Sequence, residues 1–177
     1  MWLAIPLRQR ESYFLNYFIV LAISDPIGYL LNYLFQTPFL LIYFVATCCS
    51  FIFLFNTETL RKNFLYLILA IVTVFGVSYL FMNDGAIEYI FFITHILILI
   101  RLNYLLILNV ARTQAISLFY VMLVFYETLV LSKFINNFTN FADAVYYFIV
   151  STGIQIALGL FFLIFKEKDH RIVFQLN

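Results

Sequence analysis

Charge is scarce in this sequence: 11% of its 177 residues are Asp, Glu, Lys or Arg, whereas soluble domains carry about a quarter. That scarcity excludes an ordinary water-facing surface. The net charge is +1, so no basic face for nucleic acid is expected either. Glycine, proline and cysteine are few, at 5, 3 and 2. Cys48 and Cys49 are adjacent inside an apolar run and offer neither a disulfide framework nor a zinc-ligand spacing. No GxSxG, HExxH or glycine-rich phosphate loop occurs. No metal site is expected, and no cofactor can be named; a bis-histidine haem would need His170, which lies in the tail.

What is present in quantity is apolar and aromatic, 65% and 21% of the chain, with a mean hydropathy of +1.01. These values point to the bilayer as solvent. A hydrocarbon core takes about 20 apolar residues per helix, and the chain divides into six candidate spans, at 12–35, 38–55, 64–82, 88–110, 115–135 and 144–165. The fold expected is all-α: a polytopic bundle of six transmembrane helices over 1–165, with a short cytoplasmic tail at 166–177. Thr37-Pro38 reads as a capping hydroxyl before a proline at the first helical position. Asn83-Asp84-Gly85 reads as the turn after the third span. The start, MWLAIPLRQRES, puts Arg8 and Arg10 after its apolar residues, the wrong order for a secretory signal.

Lysine and arginine placement sets the expected orientation. Arg8 and Arg10, then Arg61 and Lys62, then Arg112, then Lys166, Lys168 and Arg171 fall on one side of a six-span chain. The opposite connections hold no arginine, and Lys133 sits near the outer end of the fifth span. Both termini are therefore expected in the cytoplasm, in a plasma or inner membrane.

The stretch AISDPIGYL interrupts the first span. A re-entrant hairpin there would reverse every later span and turn Arg61, Lys62 and Arg112 outward, against the positive-inside rule. The better reading is one span, kinked or unwound at Pro26, whose missing N–H frees a carbonyl near Ala22. Ser24 and Asp25 would re-satisfy the backbone there, and Gly28 would let another helix approach.

Polar residues recur at one depth. Asp25, Arg101, Glu127 and Gln155 lie midway along their spans, as do Thr47, Cys48, Ser50 and Thr73 along theirs. At about 1.5 Å per residue, these positions fall within a turn or two of each other. Separate charges at the bilayer centre cost roughly 2.5–3.5 kcal/mol each, so Arg101 is expected to pair with Glu127, with Asp25 sharing the guanidinium. One negative charge is left over, calling for a protonated carboxyl or a further cation such as His95. Thr94 shares a helix face with Arg101; His95 is expected to point elsewhere, about 9 Å outward by rise. Ser151, Gln155 and Gly159 form a small-and-polar packing seam.

These residues support two readings of function. The first is a non-catalytic integral membrane subunit, or sensor-like module, acting with a membrane or cytoplasmic protein partner. The second is a small-solute or proton-coupled transport module binding its substrate at the polar cluster. An intramembrane enzyme built on Cys48, Cys49 and His95 ranks below both, because a thiol at that depth lacks access. The triplet Asn137-Phe138-Thr139 matches a glycosylation sequon of low specificity. The tail HRIVFQLN alternates with period two, as a short strand would, but with no partner in view it is read as a frayed, membrane-skimming end.

Overall fold

The structure is a computed structural model and describes residues 2–36, 38–55, 86–139, 141–169 and 172–175. The expected third span at 64–82 with Thr73, the connection bearing Arg61 and Lys62, the turn at 83–85, Thr37, and His170 and Arg171 lie outside these residues.

Helix dominates. A 3-10 turn (Trp2–Ala4) leads into α1 (Ile5–Arg8), followed by α2 (Leu15–Phe35), α3 (Phe39–Phe53), α4 (Ala86–Thr113), α5 (Leu118–Thr139) and α6 (Ala144–Ile164). Within α2, α4, α5 and α6 are apolar stretches long enough to cross a membrane. Their composition marks the chain as an integral membrane protein. Helix α3 has 15 residues, so it rises about 22 Å, short of a hydrocarbon core of about 30 Å.

Local chemistry fixes the helix ends. Ser12 Oγ accepts from Phe14 N at 3.0 Å just before α2. Asp143 caps α6, its Oδ1 accepting from Val145 N at 3.0 Å and Tyr146 N at 3.1 Å. At α3 the expected cap shifts by one residue. Pro38 occupies the N-cap itself, with φ −59° and ψ 133°, and its carbonyl receives the first helical bonds, from Leu41 and Ile42. Gln36 closes α2 in the left-handed region at φ 52°.

Neighbouring long helices run antiparallel. Ring contacts Tyr89–Phe138, Phe92–Phe138 and Phe91–Phe134 set α4 against α5. Helices α2 and α5 run parallel, because Phe14 and Phe18, near the start of α2, both meet Phe119 at the start of α5. Phe162, near the end of α6, completes this aromatic core, 5.2 Å from Phe18 and 5.3 Å from Phe119. All four rings are at most 1% exposed. Outward faces, such as Val145, Ile149 and Val150 of α6, stay bare and apolar, as a lipid-contacting surface requires.

The N-terminal segment, the α4–α5 link and the tail meet at one end of the bundle. Gln9 is buried there and donates from Nε2 to the carbonyls of Phe162 and Phe165, each at 2.7 Å. Arg8 donates to Ile164 O at 3.3 Å. These are C-terminal carbonyls that α6 cannot satisfy internally, and a cation suits the negative end of its dipole. The tail corrects the expectation of a frayed end. Its residues Val173–Gln175 form β2, paired antiparallel with β1 (Ala115–Ser117) in the register Ala115↔Gln175, Ile116↔Phe174, Ser117↔Val173. The partner strand lies inside the stretch assigned from sequence to the fifth span, whose helix begins only at Leu118.

Candidate functional site

Site geometry follows from this packing. His95 on α4 and Glu127 on α5 are both buried, and Nδ1 of the imidazole lies 2.5 Å from Oε1 of the carboxylate. Tyr17 of α2 donates to the other carboxylate oxygen at 3.4 Å. On the far side of the ring, Nε2 lies 3.5 Å from Thr47 Oγ1 of α3. The Thr47 hydroxyl spends its own proton on Tyr43 O at 2.8 Å, so toward His95 it offers only lone pairs. The 2.5 Å spacing places one proton between Nδ1 and Oε1, and an N–H at Nε2 would suit the Thr47 lone pairs. Phe91 and Phe134 flank the ring, 4.8 and 5.5 Å between centroids. Four helices thus converge on one buried acid–base pair.

This pair lines a chamber of about 710 Å³. Asp25 of α2 faces the same space and accepts from the Tyr43 hydroxyl at 2.9 Å. So does Lys133 of α5, whose Nζ donates to Gln155 at 2.6 Å and Thr152 at 3.3 Å on α6. The ammonium also lies 4.7 Å from the centroid of the Phe148 ring. Trp2 reaches the chamber wall beside Tyr126, ring centroids 5.2 Å apart. Small-molecule sites are clefts of roughly 300–1,000 Å³ with a few convergent polar groups. The chamber has both.

Arg101 does not join Glu127 or Asp25, which corrects the central pairing expected from sequence. Its Nε donates to Leu54 O at 3.2 Å, and its guanidinium packs on Phe55 at 4.6 Å and Tyr104 at 5.1 Å. The reason is register. With His95 opposite Glu127, Arg101 lies six residues further along α4, about 9 Å toward the end where the tail docks and on another face of the helix. A backbone carbonyl and two rings solvate the guanidinium instead. His95, expected to point away, is the basic residue that faces Glu127.

The remaining residues singled out from sequence take separate places. Gln155 faces the chamber, bound to Lys133 rather than to Arg101. Thr94 is buried and donates to Ile90 O at 2.8 Å, back along its own helix. Helix α2 runs unbroken through Pro26, so no unwinding occurs there. Ser24 donates to Leu21 O at 3.0 Å, not to the carbonyl of Ala22 that Pro26 leaves free. Gly28 is buried, and a Cβ there would meet Phe39 and Ile42 of α3. Ser151 and Gly159 are buried on one stripe of α6, with Ser151 donating to Phe148 O at 3.1 Å. Cys48 and Cys49 are half-buried free thiols. Among the described residues, no three metal-type ligands come together.

Sequence reasoning missed Lys133, Tyr17, Tyr43 and Thr152 as site residues. Lys133 carried a legible signal: a lysine within an apolar helix must either reach water or find acceptors. The three hydroxyls carried none, since threonine and tyrosine are common throughout the chain. No family model, curated protein or solved structure matches this chain.

Proposed function

We propose that this chain is a non-catalytic integral membrane module that binds a small polar solute in the chamber between α2, α3, α4, α5 and α6. One observation carries the reading: about 710 Å³ of space inside a bundle of apolar helices, walled by His95, Glu127, Asp25 and Lys133. Ionisable side chains in membrane helices are costly and face water or ligand when retained. Solute binding at such depth is the common arrangement of transport modules. In this reading the chain spans the bilayer six times. The end bearing Arg8, Arg10, Arg112, Lys166 and Lys168 faces the cytoplasm, following the positive-inside rule.

Chamber access tests this directly. In a Cys48→Ala, Cys49→Ala background reconstituted in nanodiscs, Thr152→Cys should react with a cationic, membrane-impermeant methanethiosulfonate. Val150→Cys, on the exposed apolar face of the same helix, should not. Equal labelling at both positions, or at neither, removes the reading.

A partner-dependent subunit or sensor is the second reading, favoured by how the tail is held. Glu167 ties together Ser12, Tyr13 and Tyr120, so the tail is joined to the starts of α2 and α5, the two helices that supply Tyr17 and Glu127. A shift in the chamber would reach the tail through those helices, where a cytoplasmic partner could sense it. Gentle purification from the native membrane should then yield a stoichiometric partner; a lone, monodisperse chain under those conditions counts against this reading.

A further inference from the structure

The chamber holds charges of both signs that have no counter-charge among the described residues. The acid–base pair found there, His95–Glu127, meets within itself by direct contact. Asp25 has no such contact among the described residues: the neutral Tyr43 hydroxyl donates to Oδ1, and Oδ2 accepts no hydrogen bond there. Among the described residues Lys133 is likewise met by neutral groups, the oxygens of Gln155 and Thr152 and the Phe148 ring. An ionised group inside a bilayer is stable when an opposite charge meets it. Among the described residues, one exposed carboxylate and one half-buried ammonium, neither paired with an opposite charge, line the same space.

Their depths agree. Helices α2 and α5 run parallel, and Tyr17 bonds Glu127 across them. Asp25 lies eight residues beyond Tyr17, and Lys133 six beyond Glu127, which are rises of about 12 and about 9 Å in the same direction. Asp25 and Lys133 are therefore nearly level, both on the side of the His95–Glu127 pair away from the docked tail. They stand on different helices of the chamber wall.

We infer that the chamber takes a small zwitterion, an amino-acid-type solute whose ammonium meets Asp25 and whose carboxylate meets Lys133. The inference rests on the solute-binding reading above and names its ligand class. A simple anion would satisfy Lys133 and be repelled by Asp25; a simple cation would do the reverse. Only a solute carrying both groups neutralises both side chains, and the Tyr43 and Phe148 rings offer apolar walls for the methylenes between them.

Isothermal titration calorimetry on the purified full-length chain in phospholipid-free detergent tests this. The probes are glycine, 4-aminobutyrate and 6-aminohexanoate, with butyrate and butylamine as single-charge controls. At least one zwitterion should bind 10-fold or more tightly than either control. In Asp25→Asn its advantage over butyrate should vanish, and in Lys133→Met its advantage over butylamine should vanish. Asp25→Glu, which keeps the charge, should retain selectivity and guards against misreading a folding defect. Controls binding as tightly as the zwitterions would overturn the inference while leaving a solute-binding chamber in place. So would the absence of heat from all five probes in a protein whose Thr152→Cys form is labelled from water. Failure of that labelling would instead remove the solute-binding reading itself. Titration with phosphatidylethanolamine separates a soluble zwitterion from a lipid headgroup: displacement of bound probe by the lipid would assign the two charges to a headgroup and overturn the inference as stated.

Discussion

His95 and Glu127 face each other at 2.5 Å from adjacent helices, with 8% and 1% of their surfaces exposed. Removing one partner strands the other in a low-dielectric interior, which costs on the order of 3–5 kcal/mol, whereas replacing both with apolar residues of similar volume is often tolerated. His95→Leu and Glu127→Leu should each lower the melting temperature sharply in detergent. The double variant should recover at least about 1 kcal/mol relative to the sum of the two. Strictly additive losses would show that the pair is not coupled.

The same cycle on Arg101 and Glu127 should give the opposite outcome. Their functional groups face different partners, Leu54 O with two rings on one side and His95 with Tyr17 on the other. Sites without shared partners add within about 0.5 kcal/mol. Exchanging the charges, with Arg101→Glu and Glu127→Arg combined, should therefore rescue nothing. Rescue of thermal stability by the exchange would restore the pairing that sequence reasoning favoured. Arg101→Lys is also informative: it keeps the charge but loses the Nε donor and the planar stacking, so stability should fall by about 1 kcal/mol.

These two cycles mark where sequence reasoning stops. Apolar run lengths made the long helices legible, because the bilayer demands about 20 residues regardless of tertiary contacts. Depth was not: Arg101 and Asp25 fall about 9 and about 12 Å to opposite sides of the His95–Glu127 pair instead of level with it. Nor were azimuth and register. Choosing Arg101 over His95 as partner turned on a six-residue difference along α4, about 9 Å. The packed rings of Phe91, Phe92, Phe134 and Phe138 hold α4 and α5 in the register that sets that difference. The tail shows the same limit. Its period-two pattern was readable, but its partner at 115–117 looked like the start of a helix because Ala115 and Ile116 are as apolar as the first turns of α5.

Gly28 offers a test of how tightly α2 and α3 approach. A Cβ placed there would sit 3.7 Å from Phe39 and 3.8 Å from Ile42, which is ordinary van der Waals contact. Glycine inside a helix is less stable than alanine by roughly 0.5–1 kcal/mol. Gly28→Ala should thus leave the melting temperature unchanged or raise it by a few degrees. A marked fall would mean that the two helices pass closer in the membrane than this packing has them.

Glu167 holds the tail to the bundle, and its removal should loosen that end first. Its carboxylate accepts from Ser12 Oγ, Tyr13 N and Tyr120 Oη, each at 2.7 Å. Hydrogen bonds to a charged acceptor contribute roughly 1.5–3 kcal/mol each, although at this partly exposed site water replaces much of the loss. Further along the tail lie Ile172, 4% exposed, and the β2 residues paired to β1. Glu167→Ala should therefore accelerate amide exchange at 173–175 and 115–117 several-fold, with exchange around Phe91 and Phe134 unaffected. Glu167→Gln, which keeps an acceptor oxygen but loses the charge, should fall between the two. Should both variants leave β-ribbon exchange at the parent rate, the tail is anchored by its other contacts, Ile172 and the ribbon among them, and Glu167 contributes no more than a surface contact.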